Sequence, residues 1–397
     1  MNKYSKIIFF ASILFFISGG TYFYLNSQEQ GPIFSETDIH SNALTSPVQE
    51  TASKTNDDIT NSRRTVITET VKKVSPAVVG INVIEIRQYQ DPLNPFYNDP
   101  FFRQFFGNRE NYTQKVKELG SGFLISPDGY IVTNDHVAGN AAQITVTLTN
   151  GKQYNAKLVG TDHASDVSLL KINGNGLPFV TLGNSDDIMI GEWVIALGNP
   201  FGLFEVNDKP TVTVGVISAL GMNLEPLDNR YYLNMLQTDA SINGGNSGGP
   251  LVNSLGEVIG MNTLIFTAGG NQGSIGLGFG IPINKVKRII TELKEHGKIN
   301  RNFDVGLGIQ SVDEGIAKAY NLSSTKGVIV TQVVPGSPAD KGGIKVRDII
   351  MQVDNYRINN EETIISVFQE FRAGQTISLK ILRDNKEITA TMKLEKK

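Results

Sequence analysis

The feature that most constrains the fold is a long series of short apolar stretches between Gly120 and Gly280. Turn residues such as Gly, Asn and Asp separate the stretches, and no helical segment interrupts them. Asn150-Gly151 is a typical hairpin turn between two of them. Regular short strands without intervening helices are typical of an all-β barrel or sandwich. We therefore expect strands at residues 123–125, 130–132, 144–148, 169–172, 193–197 and 211–214.

A serine set among glycines interrupts this series at residues 245–250, which read Gly-Asn-Ser-Gly-Gly-Pro. The glycines remove side-chain bulk from around the Ser247 hydroxyl, and the backbone amides of Gly245 and Ser247, with Asn246 between them, can point at one spot. Such a spot suits an oxyanion forming on an attacked carbonyl. A serine hydroxyl is a weak nucleophile unless a neighbouring base takes its proton. Ser247 is therefore a candidate nucleophile that needs a partner.

Candidate partners lie upstream in the order His, Asp, Ser that chymotrypsin-type proteases use. His136 follows an apolar strand at its polar end and is the candidate base, whereas His163, three residues before Asp166, sits on what reads as a solvated surface turn. Asp166 directly precedes the apolar run 167–172, so it can be buried and can orient His136. By composition alone its rivals are Asp135, Asp162, Asp186 and Asp239.

The same serine also fits the G-x-S-x-G nucleophile elbow of α/β-hydrolases. That alternative needs a strand–turn–helix around the serine and a catalytic histidine after it. The only later histidine is His296, at the end of a helical segment, and residues 250–260 look like a hairpin with its turn at 254–256. The elbow is therefore disfavoured.

The N-terminal residues predict an envelope location. Residues 7–25 are uncharged and mostly apolar, close to the ~20 residues of a membrane-spanning helix. Lys3 and Lys6 precede them, which by the positive-inside rule puts the remainder outside the cytoplasm. We expect residues 1–27 to be a membrane anchor, or a signal peptide cleaved near Gly20, and the polar residues 28–65 to be a flexible linker.

An aromatic-rich, proline-broken segment covers residues 87–116 and is expected to be a loop. Its many Phe and Tyr side chains either cap the domain core or form a contact loop to another subunit, since exposed aromatic patches mark interaction sites. Both interpretations remain open, with a slight preference for the second.

The period of the sequence changes to helical at residues 282–296, and Gly297 is expected to end that helix. We place a catalytic domain at residues 66–297. A new domain is expected at residues 304–395, with a strand at 328–334, a turn at 335–338, a helix near 362–371 and two closing strands.

Composition excludes several function classes. The net charge is −3, with no long Lys/Arg run, so nucleic acid is not an expected partner. The chain has no cysteine, which excludes thiolate metal sites, disulfides and a cysteine nucleophile. It also lacks an H-E-x-x-H motif. We expect no metal and no cofactor.

The motifs around these residues resemble those of the HtrA (Deg) family of envelope serine proteases. They include Asp128-Gly129-Tyr130-Ile131-Val132-Thr133-Asn134-Asp135-His136-Val137, Ser165-Asp166-Val167 and the Ser247 segment, and the resemblance covers about residues 66–395. One departure is Gly244, where the family more often has Pro. The resemblance implies a mainly β fold, with a trypsin-like double β-barrel followed by an α+β PDZ domain.

The same resemblance implies specific roles. It makes His136, Asp166 and Ser247 the catalytic triad, places the oxyanion hole at Gly245, Asn246 and Ser247, and gives a specificity pocket near residues 261–264 for small apolar side chains. In the C-terminal domain, consecutive amides in a PDZ-like loop can cradle a peptide carboxylate beside an added β-strand. That loop is formed by Gly306, Leu307, Gly308 and Ile309.

The function implied is that of a serine endopeptidase of the envelope, working through an acyl-enzyme and regulated by its PDZ domain. The expected substrates are unfolded, damaged or signalling proteins, and C-terminal peptides are expected at the PDZ domain. A DegS-type arrangement further implies a homotrimer anchored in the inner membrane with its protease domain in the periplasm, or a periplasmic protein if residues 1–27 are cleaved. The alternative function is a chaperone-like binder of misfolded chains in which proteolysis is secondary.

Overall fold

The computed structural model describes residues 63–89, 112–199, 204, 208–263 and 276–397. The residues from Ser62 to Lys397 form one compact unit. The predicted anchor, nearly all of the predicted linker, the centre of the aromatic segment and Leu264 of the predicted specificity pocket lie outside the described residues. Within the described ranges, no helix is both long and apolar enough to span a membrane.

The described chain starts with a capped helix that leads into the first barrel. Helix α1 (Val66–Val74) has a reciprocal cap, in which the Thr65 hydroxyl accepts from the Thr68 amide and the Thr68 hydroxyl accepts from the Thr65 amide. Such a cap satisfies backbone donors that the first helical turn leaves unpaired. A short 3₁₀ turn then leads into strand β1 (Val78–Tyr89), which pairs with β2 (Tyr112–Leu124).

The β1–β2 hairpin corrects the expectation that residues 87–116 form a loop throughout. The pairing runs on to Tyr89 opposite Tyr112, so both ends of that segment are strand. An antiparallel ladder is held by backbone hydrogen bonds, and it can continue beyond the apolar residues from which a strand is recognised in sequence. The expectation was wrong at these ends for that reason.

The first barrel is closed by six antiparallel strands in the order β1-β2-β3-β6-β5-β4. Fully buried apolar side chains such as Ile81, Phe123, Ile131 and Leu169 belong to its core. A one-turn helix, α2 (Asp135–Ala138), follows the third strand. The remaining strands are β3 (Tyr130–Thr133), β4 (Gln143–Leu148), β5 (Gln153–Asp162) and β6 (Val167–Lys171).

The second barrel carries Ser247. Its strands are β7 (Thr181–Leu182), β8 (Trp193–Gly198), β9 (Thr211–Met222), β10 (Met235–Thr238), β11 (Pro250–Asn253), β12 (Glu257–Thr263) and β13 (Gly278–Pro282). Six of them form a ring in the order β11-β8-β9-β10-β13-β12, closed by the pairing of β11 with β12. Ser247 is thus followed by a hairpin and not by a helix, which removes the nucleophile-elbow alternative.

A helix then leads from the barrels to the C-terminal body. Helix α3 (Ile283–His296) buries Val286, Ile289 and Leu293 on one face, as its periodicity predicts. It ends at Gly297, whose φ of 72° and amide bond to the Leu293 carbonyl make a left-handed C-cap.

The C-terminal body consists of a main sheet, short two-residue strands and short helices. Its main sheet has the order β15-β16-β17-β19-β20, so β15 lies at an edge. The predicted strands are confirmed, and the predicted helix at 362–371 is observed as α6. The elements are β14 (Phe303–Asp304), β15 (Leu307–Ser311), α4 (Glu314–Ala319), β16 (Val328–Val333), α5 (Pro338–Lys341), β17 (Ile349–Val353), β18 (Tyr356–Arg357), α6 (Glu361–Phe368), β19 (Thr376–Arg383), β20 (Lys386–Lys393) and β21 (Glu395–Lys396).

Candidate active site

The structure brings His136 and Asp166 together at one end of the first barrel. His136 lies in α2, and its Nδ1 is 2.9 Å from Oδ2 and 3.0 Å from Oδ1 of Asp166. A carboxylate can only accept, so Nδ1 carries the proton of this hydrogen bond and Nε2 is left to act as a base. The His136 backbone amide also donates to Asp166 Oδ1 at 3.0 Å. The imidazole is therefore fixed in tautomer and in position.

Asp166 is held in place from several sides. It is fully buried, and its φ of 57° lies in the left-handed region that non-glycine residues seldom adopt. The Asn134 side-chain amide donates to its backbone carbonyl at 3.0 Å, while the hydroxyls of Tyr232 and Thr263 donate to Oδ2 at 3.3 and 3.2 Å. Strained backbone of this kind persists only where the surroundings impose it and often marks functional sites.

Tyr232 and Thr263 were not anticipated from the sequence as partners of Asp166. Burial raises the pKa of Tyr232, and the charge of Asp166 raises it further, so the phenol stays a hydrogen-bond donor at every physiological pH. These two side chains come from the second barrel and join it to the first at the carboxylate.

Two consecutive tight turns shape the Ser247 segment. The Asn246 amide donates to the Asn243 carbonyl, and the Gly249 amide donates to the Asn246 carbonyl, each at 3.0 Å. The third residues of these turns are Gly245, with φ of 93°, and Gly248, with φ of 84°. A positive φ at that position is the signature of a type II turn and favours glycine.

Hydrogen bonds from Ser121 dock this segment on the first barrel. The Ser121 amide donates to the Ser247 carbonyl at 2.9 Å, and the Ser121 hydroxyl donates to the Gly245 carbonyl at 2.5 Å. The Ser121 carbonyl in turn accepts from the Thr133 hydroxyl at 2.7 Å. Since Thr133 is three residues before His136, these contacts set the Ser247 turn beside the His136–Asp166 pair.

Close packing explains why glycine follows Ser247. A Cβ on Gly248 would lie 2.2 Å from the Ser121 carbonyl oxygen and 2.4 Å from the Thr133 hydroxyl. Only glycine allows the turn to approach the first barrel so closely.

The peptide between Gly245 and Asn246 is fixed at both ends. Its N–H donates to the Asn243 carbonyl and its carbonyl accepts from Ser121. The Asn246 amide is thereby committed elsewhere, and the amides of Gly245 and Ser247 are the predicted donors of an oxyanion hole. That assignment remains a prediction.

Gly244 is the second residue of the Asn243–Asn246 turn, the position that proline favours in type II turns. Its φ is outside the left-handed region, and a Cβ there would meet open space. We expect Gly244→Pro to favour the turn by about 0.4–1 kcal/mol, since it restricts the unfolded and misarranged chain. If turn formation limits activity, kcat rises by about 2- to 5-fold.

The measurement is kcat on a reporter peptide, with Gly244→Ala as the matched variant. Alanine restricts the backbone less than proline does, so its gain should be smaller. A loss of activity in Gly244→Pro with an unchanged melting temperature would contradict this description of the turn.

The alternative candidates for the base and for the acidic member of the triad form other contacts. His163 is half-exposed, as a surface turn predicts, but both its ring nitrogens have acceptors. Among the described residues, Asp166 is the aspartate that forms a hydrogen bond with the His136 imidazole, whereas the alternative aspartates have other contacts. These are Arg230 and His163 for Asp135, Arg301 for Asp162 and the Val216 amide for Asp239. At Asp186 it is the backbone amide that donates to Asn184 Oδ1.

Arg301 joins the Asp166 loop to the C-terminal body. Its guanidinium donates to Asp162 Oδ1 at 2.5 Å and Oδ2 at 2.7 Å, and to Ser165 Oγ at 3.1 Å. Its Nε donates to the Gln369 carbonyl just beyond α6 at 2.7 Å. Burial would raise the pKa of Asp162, but the hydrogen bonds and charge of Arg301 outweigh it and lower that pKa. The loop before Asp166 is therefore in direct contact with α6.

The predicted peptide site lies at the edge of the C-terminal sheet. Gly306 has φ of 70° and opens the turn into β15, whose outer edge is unpaired within that sheet. The Ser311 amide donates to Glu361 and the Glu361 amide donates to the Ser311 hydroxyl, which ties β15 to the start of α6. An open strand edge beside a helix can accept an added peptide strand, which is consistent with the predicted peptide site. The assignment of that site to Gly306, Leu307, Gly308 and Ile309 remains a prediction.

The arrangement suits acyl transfer by a serine. A buried carboxylate, an oriented imidazole and a serine in a glycine-shaped turn are the parts of that chemistry. Among the residues that the structure describes, no group of three or more His, Cys, Asp or Glu side chains could hold a metal ion.

Comparison with known families matches the two regions separately. The trypsin-like peptidase domain matches residues 120–261, and the PDZ domain matches residues 304–394. The predicted fold class, a trypsin-like double barrel followed by a PDZ domain, is thereby confirmed.

Curated relatives and solved structures are similar over most of the chain. A probable periplasmic serine endoprotease DegP-like from Chlamydia trachomatis is 43% identical over 76% of this chain, which spans 60% of that relative's length. A protein of the same description from Hahella chejuensis is 38% identical over 82% of this chain and 68% of its own. The solved HtrA-type protease AlgW with decapeptide superposes with a TM-score of 0.61 at 34% identity, covering 84% of this chain and 99% of that one.

Proposed function

The chain belongs to the HtrA (Deg) family of serine endoproteases, and on that premise we propose that it is a serine endopeptidase with His136, Asp166 and Ser247 as its triad. The observation that carries the proposal is the His136–Asp166 pair, docked by Ser121 and Thr133 against the Ser247 turn. The direct test is hydrolysis of casein by the purified protein.

The proposed reaction follows from the tautomer that Asp166 imposes. With the proton on Nδ1, His136 Nε2 accepts the Ser247 proton as Oγ attacks the scissile carbonyl. The carbonyl oxygen becomes an oxyanion, which the amides of Gly245 and Ser247 stabilise. His136 then gives its proton to the leaving amine, and an acyl-enzyme on Ser247 remains. Water, deprotonated by the same imidazole, hydrolyses that ester.

The substrates that we propose are unfolded, damaged or signalling proteins, as the family resemblance implies. Met261 and Thr263 of the predicted specificity pocket are buried in β12. We place a preference for small apolar side chains there.

The C-terminal body is proposed to bind the C-termini of proteins and thereby to regulate cleavage. Arg301 supplies a physical connection, since it contacts both the loop before Asp166 and the end of α6. A peptide can change the rate only by binding the active arrangement better than the inactive one.

We expect peptides with a free C-terminal carboxylate to accelerate reporter hydrolysis by about 5- to 150-fold, the range of typical coupling energies. The same peptides with an amidated C-terminus are the matched control. They should neither bind nor accelerate hydrolysis, because the amide lacks the charge that the turn at residues 306–308 would hold. The titration follows hydrolysis of a reporter substrate. Binding without a change in rate would make this body a substrate tether, and absence of binding would remove the proposal.

We propose that residues 7–25 anchor the protein in the inner membrane, with the described residues in the periplasm. The support is the uncharged apolar stretch behind Lys3 and Lys6 together with the periplasmic relatives. The chain expressed in a Gram-negative cell should stay in the membrane pellet after a carbonate wash. A soluble mature chain that begins near Thr21 would mean that the segment is cleaved.

We further propose a homotrimer, on the family resemblance alone. Light scattering of the detergent-solubilised protein should give three times the mass of the chain. A monomer under the conditions of the activity assay would contradict this part of the proposal.

A further inference from the structure

A second histidine–carboxylate pair lies directly beside the triad. His163 Nδ1 donates to Asp135 Oδ2 at 2.8 Å, and Asp135 is the residue before His136. The Asp135 side chain is only 4% exposed. The mechanism proposed above does not use this pair.

A single cation bridges the two buried carboxylates. Arg230 Nη2 donates to Asp135 Oδ2 at 2.9 Å, and Arg230 Nε lies 3.4 Å from Asp166 Oδ1. The second contact is an ion pair without a well-aligned hydrogen bond. Since Arg230 is 11% exposed and Asp166 is fully buried, water screens the contact weakly.

Neighbouring residues fix the position of the Asp135 carboxylate. The Thr161 hydroxyl donates to Oδ1 at 2.7 Å. A Cβ on Gly139 would lie only 2.0 Å from that oxygen, so the end of α2 has room for the carboxylate only because glycine is there. His163 Nε2 also lies 2.8 Å from the Asp228 carbonyl oxygen, which ties the loop that carries Arg230 to the same cluster.

The charge of Arg230 matters to the base because of what Asp166 does. Asp166 stabilises the imidazolium that forms when His136 takes a proton. A guanidinium on the same carboxylate weakens that stabilisation, and the neighbouring Asp135 partly restores it. Arg230 and Asp135 therefore act on the charge that Asp166 presents to His136.

We propose that Arg230 is a positioning residue of the triad. Asp135, which also binds His163, holds the Arg230 guanidinium, and Arg230 in turn fixes the Asp166 carboxylate and offsets part of its charge. The inference rests on the proposed function, because it assigns Arg230 a role in the same reaction. Arg230 acts through Asp166 and touches no reacting atom.

Several titratable or charged groups surround His136 in this cluster, from different elements. They are Asp135 on α2 itself, His163 on the turn after β5, Asp166 before β6, and Arg230 and Tyr232 on the loop before β10. Tyr232 stays neutral, so the balance is set by the two carboxylates, by Arg230 and by His163.

The test uses two substitutions that remove opposite charges from one ion pair. Arg230→Gln removes the cation, and Asp135→Asn removes the anion. The first readout is an NMR pH titration of the His136 imidazole in the Ser247→Ala protein, which needs no turnover and is tractable because the chain has four histidines. The second is the pH dependence of kcat/KM in the protein that retains Ser247.

We expect Arg230→Gln to move the His136 titration and the acid limb of kcat/KM to higher pH by about one unit or less. Asp135→Asn should move both to lower pH, and Arg230→Lys, which keeps the charge, should lie near the wild type. A purely structural role would damage both variants alike without opposite shifts. Shifts of the same sign, or no shift in either variant, would overturn the proposal.

Arg230→Gln removes the guanidinium from the buried Asp135 and Asp166 carboxylates, and it is the variant with the greatest risk of misfolding. In that case Asp135→Asn is compared with the Asp135→Asn/Arg230→Gln double variant, which removes the pair as a neutral unit. The double variant should titrate at higher pH than Asp135→Asn alone, and equal midpoints would contradict the inference. If the wild type hydrolyses nothing while the imidazole still shows opposite shifts, the proposed function fails, and only the electrostatic coupling of Arg230 to His136 remains.

Discussion

Ser247→Ala is expected to reduce kcat by about 10⁴- to 10⁶-fold while leaving the fold intact. The substitution removes one hydroxyl from a turn that backbone hydrogen bonds and glycines hold in shape. Ser247 is the proposed nucleophile, so without its hydroxyl the remaining rate comes from binding and the oxyanion hole. The measurement is kcat on casein or a casein-derived reporter peptide, with a thermal melt to confirm folding.

Ser254→Ala is the matched control, since Ser254 lies in the nearby turn of the β11–β12 hairpin. It should hydrolyse casein at the wild-type rate. The Ser247→Ala protein also tests the chaperone-like alternative. A Ser247→Ala protein that suppresses aggregation as the wild type does, in a cell that shows no defect, would make proteolysis secondary.

Asp166→Asn is expected to lower kcat by about 10⁴-fold, the scale that applies when an amide imposes the wrong histidine tautomer. Oδ1 of Asp166 accepts from the His136 backbone amide, so the amide oxygen of the asparagine takes that place. Its NH₂ group then replaces Oδ2 and faces His136 Nδ1, which must become an acceptor. The proton moves to Nε2, and the imidazole can no longer accept from Ser247.

Asp239→Asn serves as the control for Asp166→Asn. Asp239 Oδ1 accepts from the Val216 amide, a role that an asparagine oxygen can take over. Its kcat should match the wild type. A near-normal kcat in Asp166→Asn, with the protein folded, would show that Asp166 does not orient the base.

Much of the fold is readable from sequence because its signals are local. Strands β3, β4, β6 and β8 are short apolar runs between turn residues, and the last helix of the protease region has a clear period ended by Gly297. His136, Asp166 and Ser247 can be recognised in the sequence because each lies in a distinctive local motif. The structure brings the first two together at hydrogen-bond distance.

The remaining features depend on contacts between residues that are far apart in the chain. Tyr232 and Thr263 reach Asp166 from 66 and 97 residues away, and nothing in their neighbouring sequence marks them. Arg301 reaches Asp162 over 139 residues. The extent of the β1–β2 hairpin was missed because its far end is held by backbone pairing and not by an apolar pattern.

The most direct test of the central claim is mass spectrometry of the purified protein after treatment with a fluorophosphonate, which phosphonylates a serine only when a base activates it. We expect one adduct per chain, on the peptide that contains Ser247, and we expect His136→Ala to abolish it. Ser254 and the other serines should stay unmodified. A folded, casein-cleaving protein with no adduct, or with its adduct on another residue, would contradict the assignment of His136, Asp166 and Ser247 as the triad.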